Sequence, residues 1–101
     1  MTLLEYFPEF TFQPSKIFMW SPDSRIISYD PRRLATDQGK LMLLHELGHA
    51  LLSHRIPTDE NRYQVERDAW ELARLLAQKL SIRPNEALIA RKLQEVRRLG
   101  Y

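Results

Sequence analysis

The amino-acid sequence predicts a single α+β domain, with a small antiparallel sheet packed on about three helices. Its 101 residues suffice for one compact domain, and a content of 44% hydrophobic and 28% charged residues is typical of a folded globular chain. Short segments rich in aromatic and β-branched residues occupy the first third of the chain, which predicts strands. The remainder carries apolar residues at helical spacing.

The strands are predicted in the N-terminal third. Pro8 and Pro14 preclude a long helix there, so we expect at most a short strand around residues 10–12. A hairpin follows, with strands at Lys16–Trp20 and Arg25–Tyr29 and the turn sequence Ser-Pro-Asp-Ser between them. An Asp-Pro dipeptide then ends the second strand.

Three helices are predicted after the hairpin. The first begins near Thr36 or Asp37, either of which can cap it, and runs to about Ser53. The second spans roughly Arg62–Leu80, with apolar residues along one side. The third starts after Pro84 and is followed by a glycine near the end of the chain.

Composition and charge narrow the function classes. The absence of cysteine excludes disulfides, thiolate zinc sites and a cysteine nucleophile. No apolar run is long enough to span a bilayer, and the N-terminus lacks the features of a secretory signal, so we expect a cytoplasmic protein with no membrane partner. The oligomeric state is left open.

The net charge of +2 comes from cations near the end of the chain, at Arg83, Arg91, Lys92, Arg97 and Arg98. A basic helix can meet nucleic acid or an acidic partner. The simpler interpretation is a solvated helix face, so nucleic acid is not the favoured partner.

Residues 45–49 read His-Glu-Leu-Gly-His, and this pattern carries the most chemical information in the chain. On a helix, His45 and His49 point the same way, as two imidazole ligands of a tetrahedral zinc ion must. Glu46 lies beside the first histidine, where it can act as general base on a water that the metal activates. Gly48 costs roughly 1 kcal/mol against alanine in a helix, so we expect another element to approach closely there. The alternative is two partly buried histidines with ordinary hydrogen bonds.

A zinc site needs a third ligand, and three residues compete for that role. His54 projects about 140–180° around the helix from the two histidines, so it could bind only if the helix unwinds first. Asp59 lies in the following loop. Glu66 falls on the apolar side of the second helix, where a carboxylate is costly unless it is paired or binds a metal. We favour Glu66 as the ligand, and the alternative is a buried salt bridge to Arg32 or Arg33.

These residues resemble an ImmA/IrrE-type zinc metallopeptidase, a family within the gluzincins. Residues 45–52 fit its His-Glu-x-x-His helix closely, and residues 66–73 fit more loosely its second motif, Glu-x-Glu-Ala-x-x-Phe-Ala. The match covers roughly residues 16–80. The resemblance implies a minimal zincin-like metallopeptidase domain over residues 1–101, with the following zinc ligands and general base: His45, His49 and Glu66 for the metal, and Glu46 for the base. It also implies cytoplasmic cleavage of a DNA-binding transcriptional repressor.

The second motif departs from the family pattern. Asp68 stands for the more usual glutamate, Leu72 for phenylalanine, and Trp70 for an Asp or Asn that would orient a histidine ligand. We therefore expect that orientation to come from a backbone carbonyl or from Asp30. Three residues are candidates for stabilising the oxyanion of the transition state: His54, Tyr63 and Arg62.

The predicted function is zinc-dependent hydrolysis of peptide bonds in a protein or peptide substrate. The strand Arg25–Tyr29 is expected to offer an edge to an extended substrate. Manganese or iron could replace zinc at such a site. One alternative is a non-catalytic, zinc-stabilised binding module, in which His54 or Asp59 closes the fourth metal position. A second alternative is a nucleic-acid-binding protein that uses the basic C-terminal helix.

Overall fold

The structure is a computed structural model that describes residues 3–54, 58 and 60–98, with side chains through residue 97. It confirms the α+β class, with one three-stranded sheet and three α-helices in the described residues. The elements are, in chain order, β1 (Thr11–Pro14), β2 (Met19–Ser21), β3 (Ile26–Tyr29), α1 (Asp37–Leu51), α2 (Arg62–Lys79) and α3 (Glu86–Arg98). Two residues that the sequence interpretation used, Asp59 and the glycine expected after α3, lie outside the described residues. Within the described chain, no helix combines the length and the apolar character that crossing a membrane requires.

The sheet is mixed, which corrects the expectation of a wholly antiparallel one. Its strand order is β1-β3-β2, with β2 antiparallel and β1 parallel to β3. The amide of Trp20 in β2 donates a hydrogen bond to Glu46 of α1, and β1 pairs with the edge of β3 opposite β2. The predicted substrate edge at Arg25–Tyr29 is therefore wrong, because both edges of β3 are already paired.

The helix α1 is the central element of the fold. Thr36 caps it as predicted, since its Oγ1 accepts a hydrogen bond of 3.1 Å from the amide of Gly39. The helix packs on α2 and on strands β2 and β3, and it is apolar around most of its circumference. Its leucines form much of the core, together with residues from β3, α2 and α3: Ile27, Leu41, Leu43, Leu44, Leu47, Trp70 and Ile89.

The close approach expected at Gly48 is made by α2. A Cβ atom at Gly48 would lie 2.5 Å from the carbonyl oxygen of Ala69 and 3.1 Å from its Cα. Glycine therefore permits a contact between the two helix backbones that a larger residue would prevent. Because Glu66 lies one turn before Ala69 on α2, this packing also carries Glu66 towards the histidines of α1.

Candidate metal centre

The structure brings His45, His49 and Glu66 together where α1 meets α2. Nε2 of His45 lies 2.9 Å from Oε2 of Glu66, and Nε2 of His49 lies 3.2 Å from Oε1 of the same carboxylate. The two Nε2 atoms are 3.2 Å apart. Both histidines are buried, whereas the Glu66 side chain retains 23% exposure. The cluster therefore lies in the wall of a cleft, close to solvent.

The donor set of this cluster fits a divalent metal. Zinc binds histidine nitrogen and carboxylate oxygen at about 2.0–2.2 Å, which places tetrahedral ligand atoms about 3.3–3.6 Å apart. The separations of 2.9 and 3.2 Å between His45, His49 and Glu66 are slightly shorter, so a metal would need only a small outward shift of the three side chains. Among the described residues, these three form the group whose ligand atoms all lie within 4.8 Å of one another.

In the protein alone, the cluster is held by opposite charges. Burial by itself lowers the pKa of His45, but the carboxylates of Glu46 and Glu66 outweigh burial and raise this pKa to about 9. Burial raises the pKa of Glu66, and the hydrogen bonds and charges of the two histidines more than offset it, so the pKa lies well below its ordinary value. A metal must displace the proton of His45 to bind at Nε2, so we expect metal binding to release protons.

Glu66 contacts the two histidines. It does not form the salt bridge to Arg32 or Arg33 that was the alternative from the sequence. Nε of Arg32 lies 3.5 Å from Oδ1 of Asp30, and the guanidinium of Arg33 lies 5.0 Å from the centre of the Phe18 ring. Both arginines precede α1 and point to partners outside the cluster.

Glu46 lies beside the cluster without joining its ligand atoms. Its Oε1 accepts a hydrogen bond of 2.7 Å from the backbone amide of Trp20, in β2. Its Oε2 lies 2.9 Å from Nδ1 of His45, at ion-pair distance but without the alignment of a hydrogen bond. Glu46 as a whole is 9% exposed, so a buried acidic residue lies between the strand β2 and a candidate ligand.

Trp70 orients His45. The two rings are stacked, with centroids 4.0 Å apart and an interplanar angle of 8°, and Trp70 is 2% exposed. The sequence interpretation treated Trp70 only as a lost hydrogen-bond acceptor and missed this role. Its spacing contained the signal, since Trp70 follows Glu66 by four residues and so shares its helix face. Asp30, the expected substitute, is used elsewhere: its carboxylate accepts a bond of 3.0 Å from the amide of Arg32 and caps the turn before α1.

His54 reaches the cluster because α1 ends earlier than predicted. The helix stops at Leu51, and Ser53 adopts the left-handed conformation with φ 55°. The amide of Ser53 then donates to the carbonyl of Ala50 at 3.0 Å and the amide of His54 to that of His49 at 2.9 Å, which defines a Schellman motif. The turn lays the His54 ring against His49, whereas the helical projection of the sequence assumed that the helix continued.

His54 is placed to hydrogen-bond to the proposed metal ligand His49 without binding the metal itself. Its Nδ1 lies 2.9 Å from Nδ1 of His49, on the side of the ring opposite Nε2. If Nε2 of His49 binds a metal, its proton resides on Nδ1 and must be accepted by His54. Burial and then the charge of His49 lower the pKa of His54, which favours the neutral, accepting ring. The indole Nε1 of Trp20 donates to the carbonyl of His54 at 3.0 Å and holds the turn in place.

Tyr63 contacts a residue of α3. Its hydroxyl accepts a hydrogen bond of 2.9 Å from Nη2 of Arg97, and the guanidinium of that residue lies 4.5 Å from the Tyr63 ring centre. The Tyr63 hydroxyl is thus bonded to α3, and its role as an oxyanion donor stays a prediction. Arg62 is the first residue of α2 and is half-buried.

The arrangement combines three chemical capacities. Two ring nitrogens and a carboxylate oxygen can hold a metal, the carboxylate of Glu46 can accept a proton, and a cleft of about 240 Å³ opens beside them. A larger depression of about 470 Å³ lies elsewhere, at the starts of α1 and α3, away from these groups, and we give it no role in the chemistry.

Comparisons of the chain with protein-family models, with curated proteins and with solved structures give no match.

Proposed function

We propose that the chain is a zinc-dependent endopeptidase, in which His45, His49 and Glu66 bind the metal and Glu46 is the general base. The observation that carries the proposal is the three-atom cluster with a separate buried carboxylate beside it. Catalytic zinc sites use three protein ligands and keep a position for the reactants, whereas structural sites close all four positions. Among the described residues, three side chains could supply ligand atoms, which agrees with the number in catalytic sites.

When bound, zinc would lower the pKa of a water molecule and polarise the carbonyl of the peptide bond. Glu46 would take a proton from the attacking water and pass it to the leaving amine as the carbon–nitrogen bond breaks. A carboxylate offers about four lone-pair directions, so Glu46 can keep the hydrogen bond from Trp20 at Oε1 while Oε2 accepts the proton.

The surrounding rings would keep the ligands in place during this step. Trp70 stacks on one face of His45 and covers it, and His54 would hold the proton of His49 on Nδ1 by accepting a hydrogen bond from it. Both contacts restrict the ligand rings to orientations that present Nε2 to the metal. The rigid helix pair α1–α2 carries all four proposed functional side chains.

The resemblance described above extends the proposal to a DNA-binding transcriptional repressor as substrate and to a cytoplasmic location. The zinc-stabilised binding module stays an alternative prediction, which requires a fourth ligand. His54 contacts Nδ1 of His49 and not the Nε2 atoms, and Asp59 lies outside the described residues. The nucleic-acid hypothesis also stays a prediction, which steeply salt-dependent binding would support.

The substitution Glu46→Gln tests the proposal. The amide keeps an oxygen that can accept the hydrogen bond of Trp20, but it cannot take a proton from water. We expect the variant to retain one zinc per chain and to lose peptide cleavage by about 10²–10⁴-fold, measured on a fluorogenic peptide library together with metal content. Glu71→Gln, at an exposed position of α2, is the matched control and should cleave at the parent rate. Parent-level cleavage by Glu46→Gln would refute the assignment.

A further inference from the structure

The cleft beside the cluster is shaped by all three helices. Its volume is about 240 Å³, and its walls include the proposed ligands His45 and Glu66 and the proposed base Glu46. Any group that fills the cleft therefore lies directly against the site of bond cleavage. Pockets for whole small-molecule ligands usually measure about 300–1,000 Å³, so this space suits a single side chain better.

Three apolar side chains form the rest of the inner wall, one from each helix. Met42 comes from α1, Trp70 from α2 and Val96 from α3. Trp70 is almost fully buried, and its contact with His45 keeps this wall rigid. Methionine is flexible and polarizable, so Met42 can adapt to apolar groups of different shape.

The rim of the cleft carries one pair of opposite charges. Nζ of Lys92 lies 3.9 Å from Oε2 of Glu95, and these side chains are 38% and 55% exposed. The pair adds no net charge, so the rim does not attract either sign strongly. A charged substrate side chain would lose its water against the apolar wall, and an acidic one would also approach the carboxylates of Glu46 and Glu66.

Lys92, Glu95 and Val96 belong to α3, beyond the residues 16–80 that the resemblance covers. The outer wall of the cleft is thus formed by a helix that the resemblance does not cover. We propose that the cleft binds one medium-sized apolar side chain of the peptide substrate, such as leucine or methionine, at a residue flanking the cleaved bond. This inference rests on the proposed function, because it takes the cluster beside the cleft as the reaction site.

Hydroxamates with different substituents test the inference without requiring catalysis, since the hydroxamate group chelates an accessible zinc ion. We would measure their binding to the zinc-loaded full chain by calorimetry, using acetohydroxamate (methyl), isovalerohydroxamate (isobutyl) and β-alanine hydroxamate (aminoethyl). The isobutyl compound is expected to bind at least about tenfold more tightly than the methyl compound, because it fills the apolar space. It should also bind more tightly than the charged compound of similar length.

The second part of the test uses substitutions that fill the cleft. Val96→Phe and Met42→Phe narrow it from two different helices, and each should remove the preference for isobutyl while methyl binding persists. Arg91→Phe places the same ring on an exposed position of α3 outside the cleft and should leave the preference intact.

Equal binding of the methyl and isobutyl compounds by the parent, or tightest binding of the charged one, would overturn the inference while leaving the proposed function standing. If the zinc-loaded chain binds none of the three compounds, the metal has no accessible position, and the proposed function fails together with the inference.

Discussion

The helices α1 and α2 end in the same backbone turn, and the residue that follows each turn has a different use. In both, a serine adopts the left-handed conformation, Ser53 with φ 55° and Ser81 with φ 58°. In both, the next amide reaches back to the carbonyl five residues earlier, at 2.9 Å for His54 and 2.8 Å for Ile82. Each turn is a Schellman motif, in which an apolar residue at this last position commonly packs back on its own helix.

Ile82 follows that rule, whereas His54 does not. Ile82 is 7% exposed and belongs to the core. His54 is half-buried, and its ring meets His49 instead of apolar neighbours. Burying an aliphatic side chain contributes about 1.5–3 kcal/mol, so the end of α1 forgoes stability that the end of α2 obtains. The same turn thus serves the fold at α2 and, in our account, the metal centre at α1.

The largest effect on stability is expected at the α2 end. Ile82→Ala removes buried methyl and methylene groups and should lower the free energy of unfolding by about 2–5 kcal/mol. Urea titration of the metal-free protein measures this loss. The zinc affinity of the folded variant should match the parent, since Ile82 follows the end of α2 that is remote from Glu66. A variant with parent stability and weakened zinc binding would contradict the division between the two ends.

At the end of α1, we expect a substitution to weaken zinc binding and to leave the free energy of unfolding almost unchanged. His54→Ala leaves His49 without its outer partner and should weaken zinc binding by about 10–100-fold. The unfolding free energy of the metal-free protein should change by less than about 1 kcal/mol, because the indole of Trp20 still binds the backbone carbonyl at position 54. Competition with a chromophoric chelator measures the affinity. Leu52→Ala, at an exposed neighbouring position, is the control and should bind zinc like the parent.

The pH dependence of stability should also separate the two regions in the metal-free protein. The pKa of His45 is raised from 6.5 to about 9, so its contribution is complete below pH 6.5 and is lost as the pH rises through about 9. The pKa of Glu66 is lowered from 4.5, so its contribution is present above pH 4.5 and is lost on acidification. We expect the unfolding free energy to fall by on the order of 1–3 kcal/mol between neutral and alkaline pH.

Urea titrations at a series of pH values measure that profile. Ile82→Ala should displace the whole profile downward with its shape retained, because it alters the core alone. Glu66→Gln should flatten the profile, because it removes one of the two carboxylates that raise the pKa of His45. A parent profile that rises from neutral to alkaline pH would contradict the charge arrangement of the cluster.

The smallest effects concern the serines of the two turns. Glycine adopts the left-handed conformation without the penalty that a Cβ atom brings, although it also makes the unfolded chain more flexible. Ser53→Gly and Ser81→Gly should therefore each raise the free energy of unfolding by about 0.5–1 kcal/mol, as thermal unfolding can measure. The two gains should be similar, because the turns are alike. Destabilisation by either substitution would mean that its serine makes a contribution beyond the backbone.

The parts of the site that could be predicted from the sequence are those that one helix determines. Helical geometry alone places His45, Glu46 and His49 relative to one another. Glu66 needed only the projection of its own helix, which put a carboxylate on an apolar side. The glycine at position 48 likewise indicated a close helix contact before its partner, α2, was known.

The parts that could not be predicted depend on where separate segments meet. The parallel pairing of β1 with β3 joins two segments that are separated by β2 in the chain, and no local pattern encodes it. The early end of α1 is made by a serine, a residue with no strong preference for the left-handed conformation, so the return of His54 had no clear signal. The hydrogen bond between Tyr63 and Arg97 likewise joins α2 to α3, and no local pattern indicates it.

The most direct test of the metal centre is the zinc content and zinc affinity of the parent compared with Glu66→Ala. The account predicts one tightly bound zinc per parent chain. It predicts that Glu66→Ala remains folded and binds zinc more than about 100-fold more weakly, which exceeds the effect of losing an outer partner. Glu71→Ala, at an exposed position of the same helix, should bind zinc like the parent. Full stoichiometry and unchanged affinity in Glu66→Ala would contradict the assignment of His45, His49 and Glu66 as the ligand set.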